Sequence, residues 1–82
     1  MRVKMHFVCP EIFGTLPNGS YDFPDGGTIQ DCTERCALEH GSKLPDGWFD
    51  RVLFMKDNKP ARKDDTAEDG SYIIVTRMIL GG

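Results

Sequence analysis

Val3, Met5 and Phe7 alternate with Arg2, Lys4 and His6 at the start of the chain. A period of two predicts a strand with one buried face. The stretch PEIFGTLPNGS breaks that pattern, and its Asn18-Gly19 pair carries a hairpin-turn signal because both residues accept positive φ. SYDFP then reads as a short returning strand that Pro24 ends. From Thr28 the period changes. Ile29, Cys32, Cys36 and His40 recur every three or four residues, with Thr33 and Ala37 beside them. This spacing predicts an amphipathic helix over residues 28–40, with Thr28 and Asp31 placed to cap its start and Gly41 to stop it.

The second half reads as strands again. SKLPDGWFD is a connector rich in turn residues, with Trp48 and Phe49 expected to tuck onto the body. RVLFMKD is a strand, DNKP a turn, and Pro60 limits the next segment to a short edge strand. ARKDDTAEDGS is a polar loop with room for one helical turn. YIIVTRMIL, rich in β-branched residues, is the last strand. The order strand, strand, helix, strand, short strand, strand predicts an α+β domain with the helix on one sheet face and the last strand beside the first.

Composition narrows the function classes. The 82 residues fit one domain, and 39% hydrophobic with 28% charged residues fits a globular chain. The formal net charge is −3, which argues against nucleic acid as a main partner because phosphate binding needs a basic face. The one basic cluster, KDNKPARK, is interrupted and followed by acids and reads as a solvated loop. The N-terminus lacks the apolar core of a signal peptide, so the expected location is cytoplasmic.

Candidate chemistry is sparse. Cys9, Cys32 and Cys36 are an odd set and read as free thiols. Cys32, Cys36 and His40 share one helix stripe, and Cys9 is a possible fourth ligand, but zinc sites favour closer cysteine pairs on turns. Core packing is the expectation for them, with metal as the alternative. An iron–sulfur ferredoxin would need a fourth cysteine and tighter spacing. Neither histidine is placed by sequence beside a serine or cysteine as a base–nucleophile pair. Asp64, Asp65, Glu68 and Asp69 read as a solvated loop, and the glycine pair at 26–27 lacks the residues of a phosphate loop.

That leaves the ending, TRMILGG. Glycine is the poorest residue for holding a strand, so Gly81 and Gly82 add nothing to packing. With DGGTIQDCTERC at the helix entry and FMKDNKPARKDDTAEDGSYIIV before the tail, the chain resembles the ubiquitin-like β-grasp sulfur carriers. These are the small subunit of molybdopterin synthase and the thiamine sulfur carrier. Asp57-Asn58 stands where that family often has Asn-Gly. The approach to the tail looks more like the thiamine type, and the connector around Trp48 more like the molybdopterin type, so the pathway stays open.

The resemblance implies a β-grasp fold, a mixed sheet of four to five strands with one main helix across it, and a thin bendable tail over about residues 79–82. It implies a cosubstrate, not an enzyme. A partner enzyme would consume ATP to adenylate the Gly82 carboxylate, and a sulfur donor would displace AMP to leave a thiocarboxylate for an acceptor synthase subunit. No stably bound cofactor or metal is implied, and the free carrier is expected to be a monomer. A ubiquitin-like modifier joined to lysines, or a module that only binds, is the alternative.

The last strand also suggests a partner surface. Ile73, Val75 and Ile79 fall on one side, and Tyr72, Ile74, Thr76, Met78 and Leu80 on the other. If the helix covers the first set, then Ile74, Thr76, Met78 and Leu80 form an apolar stripe leading to the tail, or Trp48 and Phe49 cover them instead.

Overall fold

The computed structural model describes residues 1–78. The tail expected over residues 79–82, with Ile79, Leu80, Gly81 and Gly82, lies outside the described residues. Five strands and one main helix form an α+β domain: β1 (Arg2–Phe7), α1 (Pro10–Phe13), β2 (Gly19–Asp22), α2 (Ile29–Glu39), a 3-10 turn (Trp48–Arg51), β3 (Val52–Lys56), β4 (Lys59–Ala61) and β5 (Tyr72–Arg77). The sheet order is β2-β1-β5-β3-β4. β1 and β5 are parallel at its centre, and every other neighbour pair is antiparallel.

Alternation along the strands builds the core. Val3 and Met5, Ile73 and Val75, and Val52 and Phe54 are buried on one sheet face. Helix α2 lays Ile29, Cys32, Thr33, Cys36 and Ala37 into the same core. Its start is fixed by a reciprocal capping box: Asp31 N–H donates to Thr28 Oγ1 and Thr28 N–H to Asp31 Oδ2, each at 3.1 Å. Its end is a Schellman motif. Gly41 takes φ 65°, and Ser42 N–H donates to the Ala37 carbonyl at 2.8 Å. Trp48 closes one end of the core, edge-on to Phe13 and to Phe54 at 5.9 Å from each.

Three sequence expectations need correction, and one short helix was not foreseen. Asn18-Gly19 is not a hairpin turn. Gly19 already pairs with Met5, and the Asn18 side chain accepts from Phe7 N–H at 2.8 Å, so the pair ends an eleven-residue connection, Val8 to Asn18. Within that connection Pro10 starts the short helix α1, which a four-residue element cannot announce by periodicity. The polar loop before β5 contains no helical turn; a bridge from Thr66 to Thr28 holds it instead. Strand β5 ends at Arg77, so Met78 lies just beyond it. The Asp57-Asn58 turn does work as read: both residues take positive φ, 52° and 67°, and join β3 to β4 as a tight hairpin.

Candidate functional site: the open sheet face and the root of the tail

Among the described residues, no helix lies on the face of the sheet opposite α2. Register decides what lies there. Ile74 sits on β5 between His6 of β1 and Met55 of β3. Thr76 sits one step further toward the chain end, opposite Leu53. Val8 follows β1 on the same row, anchored by its N–H to the Val75 carbonyl at 2.8 Å. Leu53 is 47% exposed and Val8 45%, so an apolar band crosses the sheet here and meets solvent. Its polar border is Tyr72. Lys4 Nζ stands 5.4 Å from the centre of that ring, and His6 Nδ1 is 3.3 Å from the hydroxyl.

The stripe expected from the alternation in β5 is largely here. Ile74, Thr76 and Met78 are partly exposed, while Ile73 and Val75 are fully buried on the other side. Leu80, Gly81 and Gly82 lie outside the described residues. Trp48 and Phe49 do not cover the stripe: Trp48 packs with Phe13 and Phe54 on the helix side, and Phe49 packs on Trp48. Sequence reading missed Val8, Leu53 and Met55. The alternation in RVLFMKD, with Val52 and Phe54 inward, was the signal that could have found the last two.

The root of the tail is held from two sides. Arg77 pairs its guanidinium with Glu11 of α1. The second Glu11 oxygen accepts from Cys9 Sγ at 3.0 Å, and Met78 N–H donates to the Arg51 carbonyl at 3.3 Å. Arg77 and Met78, the last two described residues, are thus anchored at the border of the apolar band.

The cysteine stripe has a different character. Cys32 and Cys36 are buried under α2, and burial raises their thiols to about 11 and about 12, with the nearby acids Asp31 and Glu39 adding to the shift. Both stay protonated at neutral pH, which disfavours metal ligation and nucleophilic attack. His40 does not join them. It ends the helix at the surface with Nε2 3.4 Å from the Tyr21 hydroxyl. Among the described residues, no group of three or more His, Cys, Asp or Glu is arranged to hold a metal ion, and no helix is long and apolar enough to cross a membrane.

No family model matches this chain, and no curated protein does. Solved structures do match. SAMP1 from Haloferax volcanii aligns over the whole of both chains at 13% identity and a TM-score of 0.68. A structure of the complex of subunits 1 and 2 of the molybdopterin-converting factor from Helicobacter pylori contains a chain that matches at 16% identity and 0.52, again over the whole of both. A ubiquitin-like protein from Caldiarchaeum subterraneum gives 16% and 0.53, covering 99% of this chain and 100% of its own. At these identities the likeness speaks for architecture, and it agrees with the strand order and helix placement: the chain has the ubiquitin-like β-grasp fold.

Proposed function

We propose that this chain is a sulfur-carrier protein, a cosubstrate that works in the cytoplasm and is a monomer when free. A partner enzyme uses ATP to join the Gly82 carboxylate to AMP, releasing pyrophosphate. A sulfur nucleophile then attacks the acyl carbon, AMP leaves, and Gly82 ends in a thiocarboxylate. The acceptor is a synthase subunit of molybdopterin or thiamine assembly. The activating enzyme and the acceptor dock in turn on the band around Ile74, Thr76, Met78 and Leu80, and Gly81-Gly82 threads into the active site because it has no side chains to clash there.

The observation that carries this reading is the uncovered apolar band on β5, which is the strand that leads directly to Gly81-Gly82. Met55 and Met78 suit a surface that must fit two partners, since methionine adapts its shape. The Helicobacter pylori subunit complex supports a synthase partner by analogy of fold.

A second reading shares the adenylation step but passes the acyl group to a lysine amine. The higher TM-score with SAMP1, described as a small archaeal modifier protein, favours it.

The test uses the tryptic peptide that begins at Met78, after incubation with ATP, a sulfide source and an activating enzyme that binds the protein. Mass alone misleads, because exchange of oxygen for sulfur mimics oxidation of Met78 to its sulfoxide. The peptide has no cysteine. Uptake of a thiol-alkylating reagent therefore places sulfur on Gly82, and the same peptide reports that Gly82 is the free end. No uptake, with adducts appearing on lysines instead, selects the modifier reading.

A further inference from the structure

The sheet has two outer strands, and they differ in what their free edges offer. Lys56 and Lys59 close the Asp57-Asn58 hairpin as a hydrogen-bonded pair, so the next pair, Met55 and Pro60, turns its backbone groups outward. Pro60 has no N–H. The β4 edge is thus blunted at the position where a donor would point out.

The β2 edge has no such block. Phe23 N–H donates to the Met1 carbonyl at 2.8 Å, and the Met1 ammonium donates to the Phe23 carbonyl at 2.7 Å. Alternation from that pair turns Tyr21 and Gly19 inward to β1 and leaves Ser20 and Asp22 facing out. The other edge of β1 agrees, since Lys4 N–H and the Arg2 carbonyl bond toward the β5 side, to Ser71 and Gly70. Ser20 and Asp22 are both exposed, and each presents an outward N–H and an outward carbonyl.

Beside this edge lies a groove of about 440 Å³, between the segment that continues β2 and the outward side of α2. Phe23, Pro24 and Leu38 give it apolar walls, and Leu38 is 79% exposed. Its other side chains include three carboxylates, Asp25, Asp31 and Glu34, against the Arg35 guanidinium and the Met1 ammonium, which pairs with Asp25 at 3.0 Å, so one carboxylate is in excess.

We propose that the β2 edge and this groove together form a second docking site, which takes an extended segment of a partner protein. The outward groups of Ser20 and Asp22 pair with the segment's backbone and add it to the sheet as a sixth strand. An apolar side chain of the segment drops toward Leu38 and Phe23. The carboxylate excess selects lysine or arginine on the flanking positions. The site is on the helix side of the molecule, so a partner can hold it while the open face and the tail engage an enzyme.

The test needs neither ATP nor sulfur, so its failure is separate from failure of the carrier reading. The probe is a synthetic peptide of alternating valine and lysine, about seven residues long, titrated into the ¹⁵N-labelled full chain. The expected result is amide shifts and slowed hydrogen exchange at Ser20 and Asp22, with shifts at Leu38 and Arg35. Leu38→Lys and Asp22→Pro should each weaken binding by about tenfold or more, the first because it removes the apolar contact and repels the lysines of the probe. The first changes an exposed side chain, and the second removes one outward N–H without touching the inward ladder. Their folded amide spectra check that neither has unfolded. Shifts on the open face around Leu53 and Ile74, no shift at millimolar peptide, or full affinity in both folded variants would overturn the proposal. So would a concentration-dependent dimer protected at Ser20 and Asp22, which assigns the edge to a second copy.

Discussion

Ile73 and Ile74 are chemically identical neighbours that should respond in opposite ways to truncation. Ile73 is fully buried beneath α2, while Ile74 faces out between His6 and Met55. Ile→Ala removes three carbons. At roughly 0.8 kcal/mol per methylene, the Ile73 change forfeits about 2.4 kcal/mol of transfer energy. The cavity left in a packed core raises this to about 3–4 kcal/mol. An 82-residue domain has a total stability of about 4–12 kcal/mol, so Ile73→Ala uses up much of the margin. Ile74 is already partly in water and leaves no enclosed void, so its truncation should cost about 1–1.5 kcal/mol. With about 4–8 °C per kcal/mol for a domain of this size, melting should fall by more than ~12 °C for the first variant and less than ~12 °C for the second. Docking should show the reverse. Measured by fluorescence anisotropy against the activating enzyme, Ile74→Ala should lose about 2 kcal/mol, near thirtyfold, if the band is the interface. Folded Ile73→Ala, assayed well below its melting point, should bind nearly as the parent does. Equal melting losses would refute the assignment of faces. A stable Ile74→Ala chain that docks normally would refute the assignment of the interface.

Thr28→Ala removes one arm of the capping box and should cost about 1 kcal/mol, read as a fall of about 4–8 °C in thermal melting by circular dichroism. The Cys32 and Cys36 thiols titrate above their ordinary value of 9.0, chiefly because they are buried. Above pH 9 the unfolded chain sheds these protons while the folded chain keeps them, so stability should be complete below pH 9 and decline as pH rises from about 9 toward 12. Denaturant titrations at stepped pH check this, and a midpoint that stays level for the parent but falls for Cys36→Ala would count against it. Gly82→Ala should leave melting unchanged while sharply reducing alkylation of the Met78 peptide; equal alkylation would remove the threading argument.

Much of this architecture was legible because its long elements carry clean periods. Val3, Met5 and Phe7 announced β1, the Thr28–Asp31 pair announced the start of α2, and Pro60 marked β4 as an edge. The misses are local. Asn18-Gly19 has the chemistry of a turn, yet Gly19 is claimed by its pairing with Met5, and pairing across a sheet overrides a dipeptide preference. Helix α1 has four residues, too few to show a period. At the site, the residues on β5 were readable from alternation and their neighbours were not. Val8, His6, Leu53 and Met55 join Ile74 and Thr76 only through register, which depends on partners tens of residues away.

The parallel pairing of β1 with β5 ties the two ends of the fold together. Lys4 pairs with Tyr72, so the centre of the sheet cannot close until β5 has been made. The β1–β2 and β3–β4 pairs can form earlier, but each remains a two-stranded ribbon, marginal alone, until β5 enters between them. On the ribosome, the segment that completes the domain is thus the one that delivers Met78 and the residues after it. A chain that stops before β5 lacks Met78 and also fails to fold, which leaves it open to proteolysis.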